Sequence, residues 1–325
     1  DILDYIMSGN ETMADFLILQ YDRMSEEYDA KMKLIEQYTE SHQSEIEAAW
    51  AEHYDKIVEI ANQHIDELWE DIDKINQKIK YLESKNNEDE NVVKFQIVYH
   101  LIDLVSIYCA MTDLSKNLLG YKNESFLDTG RKSLYKALIL LEGIVTGVID
   151  LPLNENYELL QSFESFSDAD RLKLMKKIGY TISLLEDRYG ENSKWKWSFV
   201  ELEGRYTVVA KNLFNFRRYQ EKNDPNVEGF DDRYDYMFLI KELLERASNR
   251  YREKYELTNH SPEDMKKALD FLRALKRIHI LFNEKNEVQN VTKRIELWSQ
   301  KLEVDLKAKE KQMKKKLADP DRKKI

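Results

Sequence analysis

The 325-residue chain has only nine glycines and four prolines, and neither residue occurs between Gly9 and Gly120. A stretch of that length in an average protein holds roughly 13 of the two. Nothing local therefore stops a helix there for about thirty turns. So few turn-formers also exclude a sheet-rich fold, and the expected class is all-α. The single cysteine, Cys109, rules out an intramolecular disulfide framework. It stands in Ile107-Tyr108-Cys109-Ala110-Met111, where it reads as a small buried core residue.

No membrane span is expected. The most apolar windows, Val92–Met111 and Leu134–Leu153, carry Lys94, His100 and Asp103 in the first and Lys136, Glu142 and Asp150 in the second. Those charges are costly in lipid, so both windows read as core helices. Also missing are a Glu-x-x-His pair, an HExxH motif, paired cysteines, a phosphate-binding glycine loop and a nucleophile elbow. His42, His53 and His64 share a helix face but stand some 16 Å apart along the axis, too far for one ion. The expectation is a non-enzyme with no cofactor, no metal and no small-molecule ligand.

Within the glycine-free stretch, Tyr54, Val58, Ala61, Ile65, Leu68, Ile72, Ile75, Ile79 and Leu82 step 4-3-4-3 along the chain. That spacing is the seam of a left-handed coiled coil. A helix from near Glu11 to about Ser84 follows, with a kink or turn left open at Thr39–Ser44. Residues 91–230 read as a compact bundle, with helices over Asn91–Leu119, Arg131–Gly147, Asp168–Arg188 (N-capped by Ser167) and Trp197–Tyr219. Gly143 and Gly147 suggest a close helix–helix approach. Beyond Asp231 long helices return, one over about Asp232–Tyr255 and one from Ser261-Pro262 towards Leu317, weak at Asn283–Asn286.

Charge links the two ends. Residues 1–90 hold 24 acids and 8 bases, whereas residues 301–325 hold 10 bases and 5 acids. Opposite charges beside apolar seams favour pairing. The domain reading is an N-terminal stalk helix (1–90), a compact head (91–230) and C-terminal helices (231–325) returning antiparallel along the stalk, in an elongated molecule. The basic tail reads as a solvated helix end, because it lacks aromatics for base stacking; no nucleic acid partner is expected.

Aromatics gather around Gly190 and beyond it, and Tyr and Trp are enriched in binding hot spots. Tyr189, Trp195, Trp197, Tyr234 and Tyr236 are the candidate protein-binding residues, with core filling as the competing use. The sequons at Asn10, Asn123, Asn259 and Asn290 carry little weight. The chain starts at Asp1 rather than Met, which reads either as a chain matured by signal cleavage or as a trimmed one.

Stalk, helical head, processed-looking start and a composition rich in Lys, Glu, Asn, Ile and Tyr together resemble the spirochaetal flagellar-coiling sheath proteins. The resemblance is architectural, spread over the whole chain, and transfers no site residue. It implies export to the periplasm, flagellar filament or sheath proteins as partners, and a structural role in curving the filament for motility. The alternative is a cytoplasmic helical adaptor or scaffold that docks a protein partner through its aromatic head.

Overall fold

The computed structural model describes residues 11–84, 90–161, 166–190, 192–222 and 224–318. Among them are ten helices and no strand, so the all-α class holds. They are α1 (Glu11–Glu83), α2 (Glu90–Leu118), α3 (Glu124–Val145), α4 (Leu153–Gln161), α5 (Asp168–Tyr189), α6 (Lys196–Leu213), α7 (Phe216–Glu221), α8 (Phe230–Leu257), α9 (Pro262–Leu281) and α10 (Lys285–Ala318). Contacts divide the chain into two units, Asp1–His64 and Ile65–Ile325.

In the first unit the helix passes without interruption through Thr39–Ser44. Polar side chains there bond back to the preceding turn: Thr39 Oγ1 donates to Ile35 O (2.7 Å) and Ser41 Oγ to Tyr38 O (3.0 Å). The helix thus absorbs its polar residues rather than breaking at them.

In the second unit the expected seam is the line of burial. Ile72, Ile79 and Leu82 are buried, and Ile65, Leu68 and Ile75 are half-buried against the same core. Trp69, beside the seam, makes edge contacts with Tyr108 of α2 (6.2 Å between centroids) and Phe126 of α3 (6.0 Å). Lys136 of α3 binds Glu83 at 3.1 Å. Residues 65–83 therefore lie on the bundle. Among the described residues the seam of α10 is buried against other helices. Val291, Trp298 and Leu302 are buried, and α10 packs on α9. It also reaches α8: Arg294 chelates Glu245 (2.6 and 2.8 Å), and Tyr255 donates to Asp305 (2.6 Å).

The remaining helices close one core. α2 pairs with α3; α5 packs on α2, α3, α6 and α8; α6 packs on α3 and α8. By length and composition α2 is apolar enough to cross a membrane, and here its Phe95, Val98, Leu101, Ile102, Val105 and Met111 are buried in that core. Cys109 is buried too, and burial pushes its thiol up to about 11.

Local signals set most boundaries. Ser167 and Asp170 form a full capping box at α5. Pro262 takes the first turn of α9, but the Ser261 hydroxyl donates to Glu263 (2.8 Å) instead of acting as a side-chain cap. Asn283, with φ 57°, separates α9 from α10. The single expected helix Trp197–Tyr219 is two. Asn215 ends it by accepting from the Arg218 amide (2.9 Å), an N-cap for α7. The Gly143/Gly147 expectation fails: both are exposed, and no atom of another element lies within 4 Å of where a Cβ on Gly143 would stand.

Candidate docking surfaces and a buried amine

The five aromatic candidates do not form one surface. Tyr236 is 1% exposed and fills the core, its hydroxyl donating to Ala210 O at 3.0 Å. Burial removes it from any docking role. Tyr189 is also buried; its ring packs on Phe199 (5.6 Å) and meets Trp195 at 6.2 Å. Burial holds the Tyr189 hydroxyl up at about 12. Trp195 is half-buried, with the Arg131 guanidinium 3.9 Å from its ring centroid. Arg131 is held in turn by Asp128 at 2.8 Å. Trp197 is half-buried beneath Lys196 (5.0 Å). Tyr234 is exposed and stacks on Phe230 (6.2 Å). The corner at Gly190 is thus chiefly a packing knot in which Trp195 is engaged by Arg131.

Among the described residues an exposed apolar stripe lies outside the head, where weighing aromatics alone does not find it. In the first unit Met24, Tyr28, Ile35 and Tyr38 are exposed by 68%, 64%, 58% and 63%. At 100° per residue these four fall within about 80° of one helix face. His42 continues that face and stacks on Tyr38 with centroids 4.1 Å apart. Among the described side chains of residues 22–56, none is buried. The signal in the sequence is a second apolar stripe, out of register with the 54–82 seam. Its surroundings are acidic, since residues 22–64 hold 11 acids and 4 bases.

In the second unit a polar cleft of about 220 Å³ lies between α3, α6, α8 and α9. Glu142, Glu201, Arg205, Tyr251 and Lys267 line it, and Arg205 binds Glu142 at 2.7 Å. Burial pushes the Glu142 carboxyl up while Arg205 pulls it back. A smaller cavity is lined by Lys211, Asp150 and Arg277 among others. Among the described residues no group of three or more His, Cys, Asp and Glu side chains could hold a metal ion.

No curated protein matches the chain. The model of the TP0443 family, a Treponema-named family, matches residues 50–306. That fits the spirochaetal side of the resemblance loosely, and flagellar-coiling proteins are not the family matched. The match spans most of the chain, from the last turns of the first unit to the end of the α10 seam, and the chain belongs to the TP0443 family.

Proposed function

We propose that this protein is a structural, non-enzymatic component that assembles with other proteins through its N-terminal helix. The observation that carries the reading is the exposed stripe Met24, Tyr28, Ile35 and Tyr38. A helix without tertiary contacts is marginal in water, and a contiguous apolar patch on it marks a partner. The acidic flanks select a partner with basic residues beside its own apolar face, since complementary charge speeds encounter and fixes register. In its finer form the partner is a flagellar filament or sheath protein in the periplasm, where lateral packing curves the filament. An adaptor in the cytoplasm would use the same stripe with a different partner.

The test compares wild type with an Ile35→Asp/Tyr38→Asp variant in co-sedimentation with purified periplasmic flagellar filaments. Both positions are exposed, so the variant keeps the fold of the second unit, checked by its melting temperature. Co-pelleting of wild type and its loss in the variant supports the reading. Equal pelleting of the two moves the interface off the stripe, and no pelleting of either removes the filament as partner.

A further inference from the structure

The least expected side chain in the second unit is Lys211. It sits on α6 in Val208-Val209-Ala210-Lys211-Asn212-Leu213, a run that is buried throughout, and is itself 4% exposed. Among the described residues no hydrogen bond or ion pair reaches its Nζ. Buried lysines are ordinarily paired. The carboxylate that acts on it, that of Asp150, is already bound by Arg277 Nη2 at 3.0 Å.

Lys211 lines a cavity together with Leu151, Phe216, Ala274, Ile278 and Leu281 and the charged Asp150 and Arg277. Its volume is about 20 Å³, above the roughly 10–15 Å³ that one water requires. Carbon dioxide is an apolar three-atom rod with about the cross-section of a water molecule.

We propose that Lys211 is a carbon dioxide acceptor that forms a carbamate beside Arg277. The Nζ lone pair attacks the carbon, a C–N bond forms, and one C=O π pair moves onto oxygen. One Nζ proton then leaves to water, so a neutral amine and carbon dioxide become a carbamate anion and a released proton. The step needs no oxidant or reductant. Three local features favour it. Burial lowers the ammonium to about 8, with Asp150 raising it and Arg277 lowering it further. About half the amine is then neutral at pH 8, against roughly one part in 250 for a surface lysine. The apolar walls suit the reactant, and the Arg277 cation suits the anionic product. The proposal is independent of the docking reading.

The experiment records ¹³C spectra of the full chain, labelled with ¹⁵N-lysine, in ¹³C-bicarbonate at about pH 8. Expected is a carbamate resonance split by one-bond coupling to lysine nitrogen, distinct from that of the unlabelled α-amino group. It should vanish in Lys211→Met and in urea, and fall several-fold in Arg277→Gln. A folded wild-type spectrum with no lysine-coupled carbamate overturns the proposal, whether or not Lys211→Met folds. A coupled resonance that persists in folded Lys211→Met overturns it equally, by placing the carbamate on another lysine.

Discussion

The ring of Tyr251 lies directly on the backbone of Gly204: a Cβ added to Gly204 would stand 2.7 Å from Cε2 and 2.8 Å from the hydroxyl oxygen. α6 and α8 approach this closely only because residue 204 has no side chain. Tyr251 is 3% exposed and stacks on Phe271 of α9 (5.6 Å), so it cannot retreat freely. Gly204→Ala is expected to destabilise by about 1–3 kcal/mol through overpacking. Gly143→Ala, at an open helical site, is expected to stabilise by about 0.5–1 kcal/mol. Urea midpoints of the two variants check both signs.

Arg250 ties three helices together. It forks onto Glu186 of α5 (2.6 and 3.1 Å) and places Nη1 2.7 Å from Glu203 Oε2 on α6. The Glu203 contact is poorly aligned for a hydrogen bond and is held mainly by charge. Burial pushes the Glu203 carboxyl up, with Arg250 and then Arg246 pulling it down. Arg250→Met should cost about 3 kcal/mol, because it leaves the buried Glu203 carboxylate with only Arg246, 3.8 Å away, as a cation. Glu203 has its pKa raised in the folded state, and more so once Arg250 is gone. The folded variant then binds more protons than the unfolded one at mildly acid pH, so its deficit should shrink as pH falls through that range. Thermal melts across the acid range, variant against wild type, read this out.

Lys211 has the opposite linkage. Its amine titrates at about 8 in the folded chain and near 10.4 when unfolded. Between those values the unfolded chain holds more protons, so wild type gains stability as pH rises through the window. Lys211→Met should therefore be more stable by up to about 3 kcal/mol below pH 8, the gap closing above roughly pH 10.4. The raised tyrosines titrate in both proteins, and the difference between the two isolates the lysine. A Met variant less stable at neutral pH would contradict the unpaired-amine assignment.

The two stripes of α1 should separate in stability. Ile72 is 2% exposed and Ile35 is 58% exposed. Ile72→Ala should cost about 2–4 kcal/mol through the cavity it leaves. Ile35→Ala should stay within about 0.5 kcal/mol in the absence of a partner. Denaturant melts of the two variants decide it.

The line from Ile65 to Leu82 is legible in the sequence because a 4-3 spacing survives whatever covers it. What covers it is not, since a seam has no label for its partner: α2 and α3 bury this one, while α8 and α9 take that of α10. Asn215 reads as helix interior because Phe214 and Phe216 continue the apolar run, yet its side chain makes it a cap. Tyr236 and Tyr234 look alike in a sequence and differ only in which side of α8 they occupy. Gly204 and Gly143 differ in the same way, by a neighbour distant in the chain. Lys211 is hidden because a lysine in a helix ordinarily reads as surface.

The N-terminal helix is acidic and carries Met24, Tyr28, Ile35 and Tyr38 as an open apolar stripe, and its assembly with a basic, apolar-faced protein partner is the central claim. Its most direct test is the filament co-sedimentation of wild type against Ile35→Asp/Tyr38→Asp, with unchanged melting of the second unit as control. The expected result is pelleting of wild type, weakened by salt, and at least a tenfold loss of affinity in the variant, or about 1.4 kcal/mol. Undiminished pelleting of the folded variant would contradict the claim.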